Sequence, residues 1–170
     1  YKIGEPGVIT PTVIVTDKAT CFNNQKAKVR VSATGGTPNY RFQVGLITGT
    51  LSAMSAPSIN PIEFSNLSPG TYSLVVTDNN NCTTQTTFEI VAPDTISATA
   101  EPASYCYQFS DAKYVVINIL SGNGNYKVQK QGSTSIYAFS SGSFTYPEEV
   151  ASGTHTFMIT DGYGCTTSVT

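Results

Sequence analysis

The chain has 170 residues, with 9 Lys+Arg against 11 Asp+Glu, and its net charge of -2 leaves no electrostatic footprint for nucleic acid or an anionic membrane. Charged residues make up 12%, about half the roughly 25% of an average soluble domain, so Thr, Ser, Asn and Gly carry much of the polar surface. A hydrophobic content of 39% with 11% aromatic residues can supply a core, which argues against a disordered chain, and no apolar run approaches the roughly 20 residues of a membrane span.

In chain order, Tyr1-Lys2-Ile3-Gly4-Glu5-Pro6 has neither the basic start nor the apolar stretch of a signal peptide. Ala27, Val29, Val31 and Ala33 then alternate with Lys28, Arg30 and Ser32, the period of a half-buried strand. Gly35-Gly36-Thr37-Pro38 marks a turn, and Asn39-Tyr40-Arg41-Phe42-Gln43 follows it. Leu67-x-x-Gly70-x-Tyr72 has the form of a tyrosine corner, and Tyr72, Leu74 and Val76 continue as one face of a strand. Asp78-Asn79-Asn80-Asn81 is the turn before the last strand of this half. Further on, Val115, Ile117 and Ile119 form one face, and His155, Phe157 and Ile159 another. No window carries a persuasive helical stripe. Short strands punctuated by Gly, Pro and Asn predict an all-β fold of antiparallel, Ig-like β-sandwiches.

The second half repeats the first. Thr77-Asp78-Asn79-Asn80-Asn81-Cys82-Thr83-Thr84 lies over Thr160-Asp161-Gly162-Tyr163-Gly164-Cys165-Thr166-Thr167. Asn39-Tyr40-Arg41-Phe42-Gln43 lies over Asn125-Tyr126-Lys127-Val128-Gln129, and Leu67-Ser68-Pro69-Gly70-Thr71-Tyr72 over Val150-Ala151-Ser152-Gly153-Thr154-His155. Matched blocks in one order signal duplication. Residues 1–6 lie over Phe88-Glu89-Ile90-Val91-Ala92-Pro93, and Thr170 falls on Thr87. The expected organisation is therefore an end strand of a preceding repeat at 1–6, a first module at 7–93 and a second at 94–170 whose last strand is cut short.

The cysteines are Cys21, Cys82, Cys106 and Cys165, with no C-x-x-C pair, and His155 is the only histidine. No metal site or cofactor is expected. One cysteine pair falls in each module at a common phase, so symmetry predicts Cys21–Cys82 and Cys106–Cys165 disulfides in an oxidising compartment, against free thiols as the alternative. Closing a loop of about 60 residues would stabilise each module by roughly 4 kcal/mol.

Three runs together carry a family pattern: Gly35-Gly36-Thr37-Pro38-Asn39-Tyr40-Arg41-Phe42, Asn66-Leu67-Ser68-Pro69-Gly70-Thr71-Tyr72 and Val76-Thr77-Asp78-Asn79-Asn80-Asn81-Cys82. The module resembles the SprB-type repeats of gliding-motility and other cell-surface adhesins of Bacteroidota. The chain departs from that pattern in having no Trp, with Val44 and Lys130 where the family often places one. The second module replaces Gly-Gly-Thr-Pro with Ser121-Gly122-Asn123-Gly124 and the corner Tyr with His155. The resemblance implies an extracellular, filamentous adhesin exported through the outer membrane by the type IX system. Its repeats would form a stalk, with neighbouring repeats, surface polysaccharide or motility machinery as partners. The alternative is a carbohydrate- or protein-binding Ig-like module of a secreted protein.

Several residues are weighed as sites. Asp78 and Asp161 sit in oxygen-rich turns that are weak calcium candidates, but one carboxylate per turn better suits a hairpin cap. Asp94-Thr95-Ile96 matches a short Bacteroidota O-glycosylation pattern, making Thr95 a candidate acceptor. Tyr72 and His155 are expected as structural corner residues. Tyr105, Tyr107, Tyr137 and Tyr146 could stack against a sugar, although aromatic residues in a sandwich more commonly fill the core. No nucleophile elbow, P-loop, zinc-protease or dinucleotide motif is present, and the chain is read as non-enzymatic.

Overall fold

The computed structural model describes residues 7–52, 54–59, 61–103, 114–140 and 142–170. The expected end strand at 1–6, Cys106, Tyr105 and Tyr107 lie outside the described residues. The chain divides into two compact units, Tyr1–Ala92 and Pro93–Thr170.

The first unit contains β1 (Thr10–Asp17), β2 (Ala27–Thr34), β3 (Arg41–Leu46), β4 (Ile62–Leu67), β5 (Gly70–Thr77) and β6 (Thr83–Ile90). They form two antiparallel sheets, ordered β1-β2-β4 and β3-β5-β6. The alternation that makes β2 a strand also decides its inner face: Ala27, Val29 and Val31 are fully buried while Lys28 and Arg30 are exposed. Phe42 and Val44 of β3 and Tyr72, Leu74 and Val76 of β5 meet them in one core cluster, so the two sheets pack face to face. Each such side chain contributes about 1.5–3 kcal/mol on burial.

The second unit contains β7 (Ser97–Pro102), β8 (Val115–Ser121), β9 (Tyr126–Lys130), β10 (Tyr137–Phe139), β11 (Ser143–Thr145), β12 (Phe157–Thr160) and β13 (Thr166–Val169). Its sheets are β11-β8-β7 and β10-β9-β12-β13. Ile117 of β8, Val128 of β9 and Phe157 and Ile159 of β12 form its core, joined by Tyr126, Tyr146 and Val169.

The two units share a connectivity. In each, the first, second and a later strand make one sheet, while in the other the third strand pairs with the last but one, which pairs with the last. This is the strand arrangement of an Ig-like sandwich, and both units adopt it. The only helical element among the described residues is a single 3-10 turn, Cys21–Asn23, in the β1–β2 connection.

Register defines two poles for each sandwich. In the first unit Thr10 pairs with Thr34 at one pole, and Gly36 N–H donates to Gly7 O at 2.6 Å there. At the other pole Ala27 pairs with Leu67, and Gly70 pairs with Ile90. The chain thus comes into the module at the Thr34 pole, here termed upstream, and leaves it at the Ala27 pole, termed downstream. In the second unit Ser97 pairs with Ser121, which places the upstream pole at the end of β8.

One expectation fails on this geometry. Cys21 lies just before β2, at the downstream pole, whereas Cys82 follows the Asp78 turn, which is bonded to Thr37 just beyond the other end of β2. Eight residues of strand at about 3.3 Å each separate these poles, far beyond the roughly 7 Å between Cα atoms that a disulfide tolerates. Cys82 is an exposed free thiol. The predicted Cys21–Cys82 closure is not formed.

Candidate functional site

The residues shared by the two units concentrate at the upstream pole. Asp78 directly follows β5 and is almost fully buried. Its Oδ2 accepts the Thr37 N–H at 2.9 Å, while Oδ1 accepts the Asn80 and Cys82 N–H groups at 2.9 and 2.8 Å. Asp78 N–H in turn donates to Cys82 O at 2.9 Å, and Asn79 N–H to Thr37 O at 3.1 Å. One carboxylate therefore shapes the β5–β6 turn and bolts it to the β2–β3 turn.

The approach requires glycine. Gly36 has φ +57°, and a Cβ there would stand 2.7 Å from Ile9 Cγ1 and 2.9 Å from Asp78 Oδ2. Gly35, at φ +75°, passes so close to the Val8 carbonyl that no side chain fits. The Gly-Gly pair in the sequence is thus the counterpart of the buried aspartate.

Asp161 repeats the arrangement. Its Oδ1 accepts Tyr163 and Cys165 N–H, both at 2.9 Å, and Oδ2 accepts Asn123 N–H at 3.1 Å and Asn123 Nδ2 at 2.7 Å. Asn123 stands where the first unit has Thr37, and it does more. Its amide also donates to Asp94 O at 2.8 Å and accepts Asp94 N–H at 2.9 Å, so the first residues of the unit are tied into the same network. The Asn-for-Thr exchange is legible in the repeat alignment, but its consequence is revealed only by the register of the turn.

In both turns the carboxylate oxygens already accept N–H donors, whose positive ends would face a cation at the same oxygens. No cluster of metal-ligating side chains occurs among the described residues. The Thr37 N–H bond holds the Asp78 carboxyl below the usual Asp range; burial opposes it, and the Cys82 and Asn80 N–H bonds add to the lowering.

The downstream pole carries the corner residues. Tyr72 O–H donates to Ser68 O at 2.8 Å, and the Tyr72 ring stacks on Phe88 at 5.4 Å. Burial raises the Tyr72 hydroxyl pKa, with the Ser68 bond acting in the opposite direction. His155 Nε2 lies 2.7 Å from Ala151 O, the same four-residue reach back along the chain. Cys21 is presented at this pole by the connection from β1 to β2. There Asn23 Oδ1 accepts the Thr20 and Lys26 N–H groups at 2.8 and 3.0 Å, while Asn24 and Gln25 take left-handed φ values of 53° and 58°.

Cys21 and Cys165 are each disulfide-bonded, which fits an oxidising compartment. Cys165 is buried at the upstream pole of its unit, with its Sγ 3.8 Å from Asn123 Nδ2. Thr95 is exposed just before β7, and its carbonyl accepts Ser121 Oγ–H at 2.8 Å. Of the tyrosines weighed as a sugar platform, Tyr137 and Tyr146 are packed instead. Tyr146 is fully buried against Tyr137 and Phe157, edge to face, and both tyrosine hydroxyls donate to Glu148, at 3.2 and 2.5 Å. The Tyr137 bond is the main cause holding the Glu148 carboxyl below its ordinary range. A groove of about 430 Å³ in the second unit is lined by Pro102, Tyr114, Val150, His155, Phe157 and Thr170 among others. Among the described residues no helix is long and apolar enough to cross a membrane.

Neither a family model nor a curated protein matches the sequence. Solved structures similar to it include the fibronectin(III)-like modules of Clostridium thermocellum CbhA, at 9% identity over 93% of this chain and 92% of that one, with a TM-score of 0.37. A C-terminal 282-residue fragment of intimin, solved with the intimin-binding domain of the translocated intimin receptor, is 16% identical over 97% of this chain and 62% of that one, with a TM-score of 0.40. The N-terminal four Ig domains of Dscam1 isoform 4.4 are 14% identical over 90% of this chain and 40% of that one, with a TM-score of 0.30. Likenesses this distant carry nothing about ligand or partner. The chain is a tandem pair of Ig-like β-sandwich modules on its own strand topology.

Proposed function

We propose that the chain is a pair of SprB-type stalk repeats from a long extracellular adhesin, exported by the type IX system and serving in gliding motility and surface attachment. On this reading the modules are non-enzymatic beads that space a distal adhesive region from the cell. The observation that carries the proposal is the repeated bolt: Asp78 on Thr37 and Asp161 on Asn123 tie the same turns at the same pole of each sandwich. Repetition of a structural device, rather than of a pocket or a reactive side chain, is what a repeat under tension requires. Thr95, exposed ahead of β7, would carry an O-linked glycan in such an exported protein.

A second reading, a carbohydrate- or protein-binding module, draws on the groove beside His155 in the second unit. Glycan-array and surface-binding measurements on the whole chain separate the two. The stalk reading expects no specific, saturable binding; saturable binding abolished by filling the groove would replace it. Intact mass of the protein purified from its native host reads the Thr95 proposal, which fails if the Thr95 peptide is unmodified.

A further inference from the structure

The turn bonded to Asp161 differs from its counterpart in the first unit in one chemical respect. The first unit presents Thr37-Pro38 to Asp78, whereas the second presents Asn123-Gly124 to Asp161. Thr37 has no carboxamide, and Pro38 has no backbone N–H. Asn123 has the one and Gly124 the other, in adjacent residues. Gly124 takes φ +71°, a left-handed value that glycine adopts without strain. The same glycine removes the side chain that would shield the Asn123 carboxamide from the N–H that follows it. The junction is thereby open to attack of the main chain on the side chain.

In the folded turn that attack is blocked. Both polar atoms of the Asn123 amide are held: Nδ2 donates to Asp161 Oδ2 at 2.7 Å and to Asp94 O at 2.8 Å, and Oδ1 accepts the Asp94 N–H at 2.9 Å. The backbone is held on either side, because Asn123 N–H donates to Asp161 Oδ2 at 3.1 Å and Gly124 O accepts the Gly162 N–H at 2.6 Å. Ring closure moves the carboxamide carbon onto the Gly124 nitrogen, so it has to break this network first.

We infer that Asn123-Gly124 is a deamidation site gated by folding: intact while the second unit is folded, converted when the turn opens, and unable to rebuild the turn afterwards. In the open chain the Gly124 nitrogen bonds to Asn123 Cγ, and the Cγ–Nδ2 bond breaks. The Gly124 proton leaves with the amide nitrogen as ammonia, and a cyclic imide remains. Water then opens the ring at either carbonyl, its hydroxyl going to the carbon and its other hydrogen to the nitrogen. Opening at Cγ gives an ordinary aspartyl residue at position 123. Opening at the main-chain carbonyl gives an isoaspartyl residue, whose backbone runs through the side chain.

Either product reverses the polarity of the contact. A carboxylate at position 123 has no side-chain N–H to give, yet its place faces Asp161 Oδ2 and Asp94 O, both acceptors. Those acceptors lose their donor, and two carboxyl groups stand where a 2.7 Å hydrogen bond had been. The equivalent bolt of the first unit, on Thr37, keeps no such covalent record of having been opened.

The test holds the whole chain in mildly alkaline buffer, with and without guanidinium chloride, and then returns it to native buffer. Peptide mapping by mass spectrometry reads the mass gained at Asn123 as the amide becomes a carboxyl, and urea unfolding reads the stability of the refolded protein. Conversion is expected to be slower by roughly tenfold or more in native buffer, because it proceeds only through the transiently open turn. Protein converted in denaturant should refold with a lowered urea midpoint. Asn123→Thr installs the residue of the first unit and keeps the backbone bond to Asp161, so its midpoint should be the same before and after the treatment. Equal conversion of the parent chain with and without denaturant overturns the inference, and this comparison does not depend on the variant. So does a converted protein with the midpoint of the untreated chain, or an Asn123→Thr protein that loses as much stability on treatment as the parent.

Discussion

Asp78 Oδ2 accepts the Thr37 N–H at 2.9 Å, linking two turns 41 residues apart in the sequence, and Asp161 Oδ2 makes the equivalent bond to Asn123 at 3.1 Å. The bond is charge-assisted and buried, which is where loss of an acceptor is most costly. Asp161→Ala strands the Asn123, Tyr163 and Cys165 N–H groups in the second module. The expected cost is on the order of 3 kcal/mol, read as a lower midpoint in urea, and a change within experimental error would show that the bolt is ornamental.

The Asp78 carboxyl sets an acid limit on the first module. Its pKa is lowered chiefly by the Thr37 N–H, so the folded value lies below the unfolded one of about 3.9. The stabilisation is therefore complete above the unfolded value and is lost as pH falls through the folded one. Thermal melts taken from about pH 5 down to about pH 2 should show the first module weakening below about pH 4. Asp78→Asn should flatten that dependence; an unchanged acid profile in the variant would assign the effect to another group.

At the opposite pole, Tyr72→Phe removes the hydroxyl that donates to Ser68 O while keeping the ring on Phe88. The expected loss is about 1 kcal/mol, the net worth of one hydrogen bond. His155→Phe should cost a similar amount, about 1 kcal/mol, through the lost contact with Ala151 O. If His155 instead served a ligand in the groove, the substitution would leave stability unchanged.

Phe42 is 1% exposed and stands between Tyr40 and the inner faces of β2 and β5. Phe42→Ala should destabilise the first module by about 3–5 kcal/mol through lost burial and the remaining cavity. Denaturant unfolding followed by tyrosine fluorescence measures it, and a loss well below that range would mean that the sheets close over the gap.

Cys82→Ser discriminates the observed cysteine pattern from the one that symmetry suggests. An exposed free thiol contributes little, so the variant should lie within about 0.5 kcal/mol of the parent. A closing disulfide over about 60 residues would instead cost roughly 4 kcal/mol on removal. Calorimetry of the two proteins decides between these values.

The amino-acid sequence by itself determined the fold class, because β-structure writes its period locally: Ala27, Val29 and Val31 alternate with Lys28 and Arg30 whatever their distant partners are. It also exposed the duplication, which needs only comparison of the chain with itself. The tertiary structure alone decided where Cys21, Cys82 and Cys165 stand. Cys21 and Cys82 share a phase of the repeat with Cys106 and Cys165, and symmetry made each pair look like a closure. Phase along a chain says nothing about distance, however, and a strand as long as β2 sends its two ends to opposite poles. The same limit hid the aspartate bolt. Asp78 reads as a turn residue until register brings Gly36 and Thr37 against it, since a hydrogen bond between distant turns depends on how strands pair and not on any local pattern.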